Sequence, residues 1–133
     1  MIARIGIALV ALVVAAALVL QLRAHDLLEN AKHVLVQPRP SAAEVDKQLS
    51  GLDTVNDLRP GAQGSLAQAG LQFRLHRYRA AVAAARTATK REPDNFSAWT
   101  TLAVALAASG DKSGARLANS RAHALNPFYP APR

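Results

Sequence analysis

Few side chains in this 133-residue sequence are placed to do chemistry. His25, Glu29 and His33 follow one another at intervals of four, so a helix would set them in one stripe. Two imidazoles and a carboxylate there suggest a metal or pH-sensing site. Spread over two turns, however, the three cannot all reach one ion, and the stripe reads as a solvated face. His76 falls in a turn and His123 sits beside Arg121, neither with a paired carboxylate. Each therefore reads as a surface side chain rather than a general base. Gly61-Ala62-Gln63-Gly64-Ser65 has the glycines of a phosphate loop but lacks both the following Lys and a preceding strand, which leaves turn residues. The absence of cysteine rules out a disulfide, a thiolate metal site and a cysteine nucleophile. No nucleophile elbow or paired-histidine zinc motif occurs. The sequence nominates no catalytic, cofactor-binding or metal-binding residue, and an enzyme is not expected.

Charge is more informative. The formal charge is +7, and it is unevenly spread. Residues 23–60 carry five Lys/Arg against six Asp/Glu, whereas residues 61–133 carry ten against three. Arg74, Arg77, Arg79, Arg86, Lys90 and Arg91 fall in one stretch without an acid. Such a cluster is either a solvated helix face or a footprint for something acidic, a partner segment or an anionic bilayer surface. Nucleic acid would need a stacking aromatic or a recognition-helix motif. Phe73 and Tyr78 are better placed as core, so nucleic acid is not expected.

The elements that must position these residues are helical throughout. From Ile5 to Leu20 every residue is apolar or Gly, and Leu22 extends the run past Gln21. At about 1.5 Å per residue, residues 5–22 span roughly 27 Å, close to the roughly 30 Å hydrocarbon core of a bilayer. A cleaved signal peptide would use Ala15-Ala16-Ala17 as its small-residue site, but Leu18-Val19-Leu20 carries the apolar run beyond it. A retained transmembrane anchor over residues 1–22 is the reading adopted. Arg4 and the α-amino group flank one side, Arg23 and Lys32 the other, with Asp26 and Glu29 diluting the second flank. That balance leans towards the N-terminus inside and the remainder outside the cytoplasm.

Residues 22–36 continue the anchor as a helix with Leu27, Leu28, Ala31, Val34 and Leu35 on its apolar side, ended by Pro38 and Pro40. Ser41-Ala-Ala-Glu44 is a capping box, and Val45, Leu49, Leu52 and Val55 then recur at helical spacing up to Pro60. Pro60, Pro93 and Pro127 lie 33 and 34 residues apart, each closing an apolar-striped helix. In the last interval Trp99, Leu102, Ala103 and Leu106 share one face, Gly110-Asp111 makes the turn, and Ala115, Ala118, Ala122 and Leu125 line the next helix. In the interval before it, Leu66, Ala69, Gly70 and Phe73 are followed by Tyr78, Ala81, Ala85 and Ala88. The turn there, Leu75-His76-Arg77, is one residue shorter and lacks the Gly.

This grammar resembles the tetratricopeptide repeat: a Trp, then Leu and a small residue, a turn Gly, two spaced Ala and a closing Pro. Leu106 and Asn119 depart from it, standing where the family prefers Tyr and a bulky apolar residue. The expected fold is all-α: a transmembrane helix over 1–22, a divergent juxtamembrane helix pair over 23–60, and two TPR-like antiparallel helix–turn–helix repeats within 61–133, about 62–95 and 96–129. The resemblance implies an α-solenoid whose inner helices, 65–75 and 97–109, line a concave face that takes a protein or peptide. Candidate partner-binding residues are Gln68, Gln72, Thr100 and Thr101, with Arg74 and Arg77 supplying charge for an acidic partner. The resemblance further implies a scaffold or adaptor role, by analogy an accessory subunit of a bacterial envelope assembly on the inner membrane. The alternative is a basic helical protein lying on an anionic membrane surface. Fewer than three repeats are marginal alone, so the outer face of the last helix, with Leu117, is expected to be covered by Phe128-Tyr129, a second copy or another protein. Deleting residues 128–133 is expected to lower the melting temperature or change the oligomeric state, read by thermal denaturation and size-exclusion chromatography.

Overall fold

The computed structural model describes residues 2–130, with side chains from Leu9 onward. The side chains of Arg4 and Ile5, and the end of the tail at 131–133, lie outside the described residues. Among the described residues there are six helices and no strand: α1 (Ile2–Val36), α2 (Ala42–Leu58), α3 (Gln63–Arg74), α4 (Tyr78–Arg91), α5 (Phe96–Ala108) and α6 (Lys112–Leu125).

The apolar run and the segment that follows it are one uninterrupted helix. The 35 residues of α1 extend about 52 Å, and no glycine or proline falls where the composition changes near Leu22. Leu9 through Leu22 stand open on every side, while Ala24, Leu28, Ala31 and Val34 are buried. The helix is thus long and apolar enough to cross a membrane, and its second half is a wall of the bundle. Pro38 and Pro40 end it, and Ser41 Oγ accepts from Glu44 N–H at 3.2 Å to start α2.

Each helix packs on the next in order, and α3 also touches both α1 and α5. One core joins Leu28, Ala31 and Val34 of α1 to Val45, Leu49, Leu52 and Val55 of α2 and Leu71 of α3. A second joins Ala81, Val82 and Ala85 of α4 to Leu102, Ala103 and Leu106 of α5 and Ala115 and Ala118 of α6. Alanine at so many contacts lets helix axes approach closely. Two glycines go further: a Cβ at Gly51 would stand 2.9 Å from Leu27 Cδ2, and one at Gly70 would stand 2.9 Å from Leu35 Cδ2.

Polar ties fix the direction of each helix relative to α1. At one end, Arg74 of α3 donates to the Leu35 and Pro38 carbonyls at 2.6 and 3.3 Å, and Arg77 before α4 pairs with Asp46 of α2. At the other end, Asn56 of α2 meets Ser65 of α3 and Arg91 of α4, and Glu92 accepts from Ala62 N–H at 2.7 Å. The helices α2 and α4 therefore run antiparallel to α1, and α3 runs with it.

The two turns solve one problem differently. Gly110 takes a positive φ of 92° between α5 and α6; in the shorter turn between α3 and α4, His76 does so at 55°. A left-handed conformation at a non-glycine residue costs on the order of 1 kcal/mol. The His76 ring is held there by Tyr78, whose hydroxyl lies 2.7 Å from Nδ1.

The tail meets the last pair only in part. Tyr129 packs edge-on against Phe96, with ring centres 5.1 Å apart, and its carbonyl accepts from His123 Nδ1–H at 2.7 Å. The Arg121 guanidinium lies 5.9 Å from the Trp99 ring centre. Phe128 and Leu117 are not covered, at 98% and 74% exposed.

Candidate functional site

An apolar cleft of about 280 Å³ opens between α3 and α5. Its walls are Ala69, Gly70 and Phe73 from one helix and Thr100, Thr101, Val104 and Ala105 from the other. Helical spacing explains the set: 69, 70 and 73 lie on one face of α3, and 100, 101, 104 and 105 on one face of α5. Gly70 contributes bare backbone to the wall beside Phe73, its Cβ direction being filled by Leu35. Val104 is 53% exposed although it is a β-branched residue in mid-helix. Thr100 Oγ1 donates to the Ser97 carbonyl at 3.0 Å, so its hydroxyl proton is already used within α5. What the cleft offers is an apolar, uncharged recess for an apolar side chain, with hydroxyl oxygens at its edge.

Of the six residues singled out from sequence, Thr100 and Thr101 line the cleft. The other four lie elsewhere. Gln68 donates to Asp53 at 2.7 Å and accepts from Asn56 at 2.8 Å, which fastens α3 to α2. Gln72 is half-buried, and its Oε1 has no hydrogen-bond partner among the described residues. Arg74 closes the carbonyl end of α1, and Arg77 is paired with Asp46. Arg74 and Arg77, expected to charge the groove, do not line this cleft. Both guanidiniums satisfy acceptors of the first helix pair, and the cleft is apolar. Phe73, which the sequence places in the core, also forms a wall of the cleft. Val104 carries a signal in the sequence, being an apolar residue one position out of phase with the Leu102/Ala103/Leu106 stripe.

Three of the four histidines, His33, His76 and His123, have local partners. His33 Nδ1 lies 3.4 Å from Gln37 Nε2, Glu29 accepts from Lys32 Nζ at 2.9 Å, and His76 and His123 are held as described above. Among the described residues no three His, Asp or Glu side chains converge as metal ligands would.

Three carboxylates fix the bundle electrostatically. The Ala62 N–H, then Asn95, hold Glu92 below its ordinary 4.5. Hydrogen bonds from Arg77 hold Asp46 below 3.8, and those from Gly114 N–H and Ser113 do the same for Asp111. A carboxylate with a depressed folded-state value adds stability above its unfolded value and loses it as pH falls through the folded one. Melting temperature is therefore expected to be level down to about pH 5 and to drop below it. Glu92→Gln should flatten part of that drop in a pH series of thermal melts, because its amide oxygen still accepts from Ala62 N–H without titrating.

No protein-family model matches the chain, and no curated protein matches it.

Proposed function

We propose that this protein is a single-pass, membrane-anchored adaptor, a TPR-like solenoid of helix pairs that holds a partner segment in the cleft between α3 and α5. The observation that carries this reading is the cleft itself: an uncharged recess flanked by an exposed Val104, left open by the described residues. Neighbour-to-neighbour packing of the helices, with α3 touching both α1 and α5, supports the solenoid reading. The uncovered apolar residues of α1 support the anchor. On this reading the helical array stands outside the cytoplasm on a bacterial inner membrane and serves a larger envelope assembly as an accessory subunit. A C-terminal reporter active only outside the cytoplasm tests the side.

The cleft is tested by Val104→Glu. A half-exposed position tolerates the change within about 0.5 kcal/mol, so the melt should be unchanged. A photo-crosslinker placed at Phe73 should form an adduct in native membranes that disappears when Val104→Glu is added. An adduct indifferent to Val104→Glu would remove the cleft from the interaction.

A further inference from the structure

We infer that the outer face of α4 is a docking track for an acidic helix of a partner protein, standing up from the membrane. The sequence places six cations between residues 74 and 91, and the fold divides them. Arg74, Arg77 and Arg91 are engaged internally, by the end of α1, by Asp46, and by Asn56. Arg79, Arg86 and Lys90 are exposed, and among the described residues none of them is in an ion pair or donates a side-chain hydrogen bond. Of the nearby acids, Glu92 caps α3, Asp111 caps α6 while also feeling the charge of Arg86, and Asp94 stands exposed beyond the end of α4.

Shape accompanies charge. Positions 79, 83, 86, 87 and 90 are exposed and share the outward face of α4, with Ala83 and Thr87 between the three cations. Thr87 Oγ1 is turned back onto the Ala83 carbonyl at 3.2 Å. The row is therefore flat, and another helix can lie along it at close range. Arg86 and Lys90 are like charges one turn apart, an arrangement that weakens a helix; Asp111 lies within the field of Arg86, and Lys90 forms no ion pair among the described residues.

Orientation decides between a protein and a bilayer as the source of negative charge. Because α4 runs antiparallel to α1, the row points along the membrane normal when α1 is inserted. From Arg79 to Lys90 it extends about 16 Å, twice the Debye length of roughly 8 Å at physiological salt. A leaflet surface could engage only the Lys90 end, whereas an upright acidic helix could engage all three. The row is separate from the α3–α5 cleft, so this inference does not need that cleft to be occupied. It does rest on the anchored reading of α1, and failure of the chain to enter lipid nanodiscs would show that reading wrong independently.

The test uses the full chain in nanodiscs of phosphatidylcholine, with a labelled helical peptide carrying Glu at positions 1, 8 and 12, the spacing of the three cations. Two comparisons accompany it: a peptide of equal charge with the Glu residues clustered, and nanodiscs containing phosphatidylglycerol. Binding of the spaced peptide should fall at least about tenfold in Arg79→Gln/Arg86→Gln/Lys90→Gln and weaken with salt. It should be unaffected by Val104→Glu. Equal binding of the two peptides would overturn the inference, as would unchanged binding to the triple variant. In phosphatidylglycerol nanodiscs the spaced peptide should still bind better than the clustered one, which is repelled by the anionic surface to the same degree; loss of that preference would also overturn the inference, since the row would then lie on lipid. Circular dichroism of the triple variant should match the parent, because all three side chains are exposed.

Discussion

Leu52→Ala is expected to lower the stability of the bundle by about 3 kcal/mol, within the 2–5 kcal/mol range for emptying a core leucine site. Leu52 is fully buried in the cluster that α1, α2 and α3 share. Its neighbours are alanine, valine and leucine held on rigid helices, which collapse poorly into a vacated volume. Against a total of about 5–15 kcal/mol for a typical domain, the loss should move the chemical-denaturation midpoint far beyond error. Leu117→Ala is the matched control: the same truncation at an exposed position should change stability by less than about 0.5 kcal/mol. Denaturation followed by far-UV circular dichroism in detergent micelles measures both. A small effect at Leu52 would mean that α1 does not share a core with the helices after it.

The second large effect is at Arg74. Its guanidinium donates to two carbonyls just at and beyond the last turn of α1, Leu35 and Pro38, where proline has removed any chance of continuing the helix. Hydrogen bonds to a charged group contribute more than neutral ones, so Arg74→Met should cost about 2 kcal/mol. Arg74→Lys should rescue little, because a single ammonium lacks the planar fork that serves both acceptors. Hydrogen exchange should localise the damage: amide protection should fall at the end of α1 and the start of α2, while α5 and α6 keep theirs. Uniform loss of protection, or none, would contradict the role given to this side chain.

How much of this was legible in the sequence follows from which forces act locally. The helices were legible because their signals are local: Ser41 and Asp111 cap as their types suggest, the prolines stop helices where they stand, and Val45, Leu49, Leu52 and Val55 repeat at helical spacing. The continuity of α1 could be read from the lack of any breaker around Leu22. The site was less legible. Whether an arginine is free or engaged depends on which acceptors the fold brings beside it, and Asp46 lies 31 positions from Arg77 in the chain. Gln68 looked like a groove residue because it is polar and off the apolar stripe. The same two properties suit a side chain that fastens α3 to Asp53 and Asn56. The positive φ at His76 was hidden for a different reason: a histidine rarely takes the place of the turn glycine, and only the missing residue in that turn hinted at it.

The central claim is that one helix is both the membrane span and the first wall of the array. The chain contains no cysteine, so single-cysteine variants can carry a nitroxide at each position from Leu12 to Val36 without further engineering. The decisive measurement is a scan of oxygen accessibility and label mobility along that stretch in lipid bilayers. The account predicts high oxygen accessibility at every position through Leu20. From Ala24 onward a helical rhythm should appear, with Ala24, Leu28, Ala31 and Val34 immobile and no phase break between the two regimes. A mobile, water-exposed gap between residues 20 and 26 would contradict it, as would cleavage of the chain before Ala24.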